Sequence, residues 1–174
     1  MTHYQQVQEF HDTFDPVTNK YPHALTSQEV QTRSHFIVEE LVEYLSTISR
    51  DEADFACKVQ QLKESINQAE QKVLNKGLPE NDIVNQSDAL IDLLYFIYGT
   101  FAIMGVDPNP LFDIVHQANM GKLFPDGKPH YDAVTGKVLK PDNWEKDYAP
   151  EGKLHQEIQR QQDKMKEDSC DERS

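Results

Sequence analysis

The sequence predicts an all-α fold, a bundle of about five helices followed by a short C-terminal hairpin or lid and a peripheral tail. Three observations predict it. Apolar residues recur at intervals of three and four through successive stretches up to Lys122, the spacing of one helical face. Stop and start signals separate those stretches at Asp15-Pro16, Lys76-Gly77 and Asp107-Pro108. Turn dipeptides between short β-prone runs occur only beyond Lys122.

The first helix is expected from about His3 to Phe14, with Val7, Phe10 and Phe14 on one face. Thr26 or Ser27 is a suitable N-cap for a second, running to about Ser49. A third spans Asp51 to Asn75, where Phe55, Val59, Leu62, Ile66, Ala69 and Val73 form a stripe on an otherwise polar, outer helix. The fourth, from about Glu80 to Met104, is apolar on nearly all sides after Ala89 and is expected to be the buried central element. A fifth begins near Asn109-Pro110 and continues to about Lys122. Asp126-Gly127 and Thr135-Gly136 then mark a hairpin or lid. These segments read as one domain, residues 1–148. Residues 149–174 are expected to form a peripheral helix fraying into a disordered acidic end.

Composition narrows the function. A formal net charge of −13, from 30 acidic and 17 basic side chains, argues against nucleic acid as a partner, because phosphate backbones need clustered Lys and Arg. Cys57 and Cys170 stand far apart without metal-ligand spacing, so a reducing cytoplasm is the expected compartment. The N-terminus lacks the pattern of a secretory signal. Ala89 to Val106 is long and apolar, but it contains Asp92, follows Asp88 and has no flanking basic residues. A buried helix is a better account of it than a membrane span.

The polar exceptions in these helices carry the chemistry. Phe36, Ile37, Leu41, Tyr44, Leu45 and Ile48 share a broad face of the second helix; Glu40 lies near its edge, with Glu43 and Glu39 further round. A carboxylate leaning into a core needs a cation or a shared proton. On the fourth helix, Asn85, Asp88 and Asp92 are spaced three and then four apart and form one stripe. If the two helices pack antiparallel, the stripes face one another and offer oxygen ligands only. Such a set selects a hard divalent cation, Mg²⁺ with Mn²⁺ as substitute. Mg²⁺ usually binds through one or two carboxylates together with phosphate oxygens, so a phosphate ester or anhydride is the expected substrate. Lys122 and Arg33 are the nearest candidates for further positive charge.

Glu39-Glu40-x-x-Glu43 followed by an acidic helical motif resembles the all-α nucleoside triphosphate pyrophosphohydrolases, which include MazG, dimeric dUTPases and phosphoribosyl-ATP pyrophosphohydrolase. Their pattern is EExxE and then ExxD; Asp88 matches the aspartate, and Asn85 stands at the second glutamate. The stretches Asp88 to Gly99, His116-Gln-Ala-Asn-Met-Gly-Lys-Leu123, Asp126-Gly-Lys-Pro and Gly136-Lys-Val-Leu-Lys140 resemble a bacterial MazG-like branch. The resemblance covers roughly Val7 to Trp144. It implies a MazG-like bundle and hydrolysis between the α and β phosphates of a nucleotide, giving the monophosphate and pyrophosphate. In that reading Glu40, Glu43 and Asp88 hold Mg²⁺, with Asn85 as a neutral ligand. Glu39 or Asp92 binds a second metal or orients the attacking water. Lys122 neutralises phosphate charge, Asn119 hydrogen-bonds phosphate or sugar, and the nucleoside lies near Phe10, His11 and Phe14. The family and the all-round apolar fourth helix together imply a homodimer or dimer of dimers.

Plainer readings stand beside these. Glu39 and Glu43 could form a solvated face, Asp92 could pair with Arg33 or His35, and Lys122 could serve the helix dipole. His11, His35 and His116 read as structural or surface residues, and Trp144 and Tyr148 as pins for the tail. A carboxylate-bridged di-iron bundle would need paired Glu-x-x-His motifs, and Asp113-x-x-His116 is only an echo of one. A degenerate, non-catalytic nucleotide sensor is the main alternative function, motivated by Asn85.

Overall fold

A threonine opens each of the first two helices. In the computed structural model, which describes residues 1–15, 21–133 and 136–171, Thr2 and Thr26 accept from the backbone N–H groups of Gln5 and Glu29, whose side chains reach back to the cap N–H. Thr26 holds the Glu29 carboxyl below the usual carboxylate range by hydrogen bonds from its hydroxyl and its backbone N–H.

Seven helical elements are described: α1 (His3–Phe14), α2 (Ser27–Ser46), α3 (Glu52–Lys76), α4 (Ile83–Met104), α5 (Pro108–Met120), α6 (Trp144–Asp147) and α7 (Glu151–Asp171). No named strand occurs among the described residues, and the all-α class stands. α2 ends three residues earlier than its periodicity suggests. The hydroxyls of Ser46, Thr47 and Ser49 bind the carbonyls of Glu43, Tyr44 and Leu45 at 2.6, 2.8 and 2.8 Å, competing with the helical ladder there. α3 stops at Gly77, whose φ of +86° an L side chain rarely adopts.

The chain divides into two compact units, residues 21–92 and residues 1–20 with 93–174. In the first, α2 packs on α3, and the Gln86 side chain grips Leu25 through both main-chain groups, at 2.8 and 3.0 Å. Asp51 caps α3 by accepting from Asp54 N–H at 2.8 Å. The Asp54 carboxylate binds Lys58 at 2.6 Å and Arg50 at 3.4 Å; Lys58 foremost, then Arg50, lowers its pKa from 3.8 to about 2. A depressed carboxyl pKa contributes stability above the unfolded value, and that contribution is lost as pH falls through the folded one. Asp54→Asn is therefore expected to lower Tm near neutral pH, with the difference from wild type closing as pH falls to about 2, measured by thermal melts across that range.

In the second unit α1 packs on α5 and α5 on α7. Its buried apolar residues are Phe14, Ala118 and Trp144, each at most 5% exposed among the described residues, and Gln6 is buried as well, donating to Asp113 at 2.5 Å. The expected hairpin is reduced to a single antiparallel bridge, Tyr131 to Val138, flanked by hydrogen bonds from Leu139 N–H to His130 and from Asp132 N–H to Lys137, both 2.8 Å. Thr135, part of its anticipated turn, lies outside the described residues. The Tyr131 hydroxyl donates to the Phe14 carbonyl, which fastens the bridge to α1. The tail forms one helix to Asp171, beyond which the chain lies outside the described residues.

One expectation is overturned: among the described residues, α4 is not a buried central helix. None of its residues is buried, and Tyr95, Phe96 and Ile103 are 76%, 73% and 90% exposed. α4 is also long and apolar enough to cross a membrane.

Candidate functional site

Helical spacing sets the local geometry of both acidic motifs. On α2, Glu40 and Glu43 are exposed, three residues apart, on neighbouring positions of the helix surface. Glu39 is partly covered and lies 3.4 Å from the His35 ring, so His35 takes Glu39 as a neighbour one turn away. Arg33 sits on the same helix two turns before Glu40.

On α4, Asp88 and Asp92 are exposed and one turn apart. Asn85 is drawn into the helix start. Its N–H donates to Asp82 Oδ1 at 2.8 Å, and its amide nitrogen donates to Asp82 Oδ2 at 3.1 Å and to the Glu80 carbonyl at 3.2 Å. Sequence reading missed this cap, although an aspartate three residues before Asn85 is its usual signal. The amide nitrogen is thus committed to the cap, whereas a glutamate at this position would have had only acceptors to offer.

Among the described residues of the first unit, α2 packs on α3 and does not form a closely packed pair with the start of α4. Among the described residues the closely packed helix pairs are α1–α5, α2–α3 and α5–α7. Gln86, two residues before Asp88, holds Leu25, just before the end of α2 opposite the glutamates; at 1.5 Å per residue, the first residue of α2, Ser27, and Glu40 are separated by ~20 Å along the helix. Accordingly, no three His, Cys, Asp or Glu side chains converge as a metal site among the described residues. The donor chemistry nevertheless fits a hard cation. Glu40, Glu43, Asp88 and Asp92 are exposed oxygen donors in closely spaced pairs, and Mg²⁺ asks for one or two carboxylates, with water and phosphate supplying the rest.

The other candidates belong to the second unit. Lys122 Nζ donates to Asn119 Oδ1 at 2.8 Å, joining the cation and the amide just past the end of α5. His11 lies 3.8 Å from Asp15 and edge-on to Phe10. Phe14 is 1% exposed and stacked on Phe10 at 4.5 Å, so it is a core residue and its ring has no free face for a nucleoside. His116 binds Glu9 at 3.1 Å, linking α5 to α1.

Over residues 7–119 the sequence matches the family described as phosphoribosyl-ATP pyrophosphohydrolase. No match was found among curated proteins. The crystal structure of a candidate NTP pyrophosphohydrolase from Exiguobacterium sp. 255-15 is similar, with 38% sequence identity and a TM-score of 0.85 over 95% of this chain and 98% of that one. The match spans both acidic motifs and most of α5, and the structural likeness extends it through the C-terminal region. The chain belongs to the phosphoribosyl-ATP pyrophosphohydrolase family, an all-α hydrolase of phosphoanhydride bonds.

Proposed function

We propose that this chain hydrolyses the α–β phosphoanhydride of a nucleoside or deoxynucleoside triphosphate, or a related nucleotide, to the monophosphate and pyrophosphate, with Mg²⁺ as cofactor and Mn²⁺ as a substitute. The observation that carries this reading is the pair of exposed, all-oxygen acidic motifs on α2 and α4 in a chain of this family. Bound there, Mg²⁺ would neutralise and polarise phosphoryl oxygens and make water a better nucleophile. Glu40, Glu43 and Asp88 are assigned to hold it. Glu39 or Asp92 is assigned to take the proton as the water oxygen bonds to the α phosphorus and pyrophosphate leaves. Asn85 keeps only its amide oxygen for such a site, because its nitrogen serves the cap. Asn119 and Lys122 are assigned to phosphate, through an amide donor and a positive charge.

A second copy of the chain is the proposed cover for α4. Large apolar and aromatic residues are exposed on α4, and Phe36, Ile37, Leu41 and Tyr44 are exposed on α2. A dimer built on these residues would also let the α2 carboxylates of one copy meet the α4 carboxylates of the other, completing a set that one chain leaves divided. The reading puts the enzyme in the cytoplasm, where an exposed free thiol such as Cys57 stays reduced and nucleotides are pooled. It involves neither nucleic acid nor membrane.

Pyrophosphate release from a panel of NTPs and dNTPs tests the function. Turnover is expected with Mg²⁺ and none after EDTA, restored by Mg²⁺ or Mn²⁺. A full panel without turnover would favour a non-catalytic nucleotide binder.

A further inference from the structure

The last four carbonyls of a helix have no partner within it and must be satisfied from outside. At the end of α5 the backbone supplies three: Gly121 N–H donates to Gln117 at 2.9 Å, Lys122 N–H to Asn119 at 3.1 Å, and Leu123 N–H to Met120 at 3.1 Å. The carbonyl of Ala118, a residue only 4% exposed, takes its bond from the indole N–H of Trp144 at 2.8 Å. Trp144 is itself 5% exposed, and Lys140 Nζ lies 3.6 Å from its ring centroid.

A second grip follows one residue after the helix. Gly121 is buried, and a Cβ there would stand 2.2 Å from Tyr148 Cγ, 2.3 Å from Cδ1 and 2.8 Å from Cβ. Those atoms form the root of the tyrosine side chain, which cannot swing aside without moving the backbone. Tyr148 N–H donates to the Trp144 carbonyl at 2.8 Å, so both grips come from one helical turn. They bracket Asn119 and Met120 and directly precede Lys122, whose ammonium is bonded to Asn119.

We infer that Trp144 and Tyr148 are positioning residues: α6 clamps the end of α5 and thereby sets where the Asn119 amide and the Lys122 ammonium meet phosphate. The inference rests on the proposed phosphate role of those two groups. A clamp of this kind fixes the phosphate contacts before substrate arrives, and displacement of such contacts by about 1 Å costs up to about a hundredfold.

The test is a mutant cycle on the full chain, with Gly121→Ala, Tyr148→Ala, Tyr148→Phe and the double variant Lys122→Met with Asn119→Ala, read by KM and kcat for pyrophosphate release, by Tm, and by the emission of Trp144, the single tryptophan. Gly121→Ala and Tyr148→Ala are expected to raise KM about ten- to a hundredfold, well below their melting temperatures, with a red shift of tryptophan emission. Tyr148→Phe, which keeps the ring, is expected to behave as wild type. Gly121→Ala added to a background of Lys122→Met with Asn119→Ala is expected to raise KM less than about twofold further, since both groups being positioned are already gone. A full multiplicative effect in that background, or a loss of Tm with no change in KM, overturns the clamp and leaves the phosphate reading standing. Wild-type KM for Lys122→Met with Asn119→Ala would remove the phosphate role of the turn and the clamp with it. If Gly121→Ala does not fold, Tyr148→Ala carries the same comparison, because it removes atoms and introduces no clash.

Discussion

Glu43→Ala and Asp88→Ala are each expected to reduce pyrophosphate release by about 10²–10³-fold while leaving helical content unchanged, the loss characteristic of removing one strong electrostatic contributor to a transition state. Both carboxylates are exposed on helices whose capping bonds lie elsewhere, so neither substitution removes a packing contact in the core. Glu43→Gln and Asp88→Asn keep the shape but lose the charge and exchange one acceptor oxygen for an amide donor; a comparable loss in these isosteres would trace the effect to the anionic oxygens that a cation needs. Mn²⁺ titration followed by electron paramagnetic resonance supplies a readout independent of turnover, and weakened binding is expected in all four variants. Wild-type turnover and Mn²⁺ affinity in both alanine variants would dismantle the metal site. Glu39→Ala is expected to cost less binding, because Glu39 already faces His35.

The second large effect concerns α4. Phe96→Asp together with Ile103→Asp is expected to convert a dimer or higher assembly to monomer in sedimentation and to reduce turnover by more than about tenfold. Five of the exposed side chains on this helix, Ile91, Tyr95, Phe96, Ile103 and Met104, are each at least 59% exposed. Covering one apolar side chain of this size contributes about 1.5–3 kcal/mol, so ten of them in a two-fold interface contribute roughly 15–30 kcal/mol. This gross gain stands against an association cost of about 4–15 kcal/mol and the further cost of ordering interface side chains. An unpaired aspartate in such an interface costs several kcal/mol at each occurrence. Mixing Glu43→Ala with Asp88→Ala protomers is expected to recover part of the activity, since one site of the mixed pair would combine an intact α2 motif with an intact α4 motif. A monomeric wild-type mass at micromolar concentration would refute this assembly, and a mixture as inactive as its components would place the whole metal set within one copy.

Local features were the most legible. The bounds of α1 follow from the spacing of Val7, Phe10 and Phe14 and from the break at Asp15-Pro16; the start of α2 follows from Thr26 and the end of α3 from Lys76-Gly77. Each depends on interactions within four residues, which spacing alone can report. The anchoring role read for Trp144 follows from its chemistry, a large apolar ring with one donor, and the structure supplies the Ala118 carbonyl for that donor. Longer-range features were less legible. The periodicity of Phe14 could not separate a ring at a binding surface from one at the centre of a core, because both need an apolar residue at that position. Asn85 read as a substituted ligand because spacing was the only information available; the Asp82 cap that claims its nitrogen becomes visible only in the backbone geometry.

The sequence by itself determined the all-α class, the bounds of α1, the cap of α2, the two acidic stripes and the family, since these depend on residue type, local hydrogen bonding and spacing along the chain. Only the tertiary structure decided that α4, among the described residues, is not a buried central helix and that Gln86 ties the start of α2, and not its acidic end, to α4. The physical reason is that periodicity reports which face of a helix is apolar and where its carboxylates project. Which partner covers that face depends on contacts between segments distant in sequence, or on a second copy of the chain, and no local pattern encodes that choice.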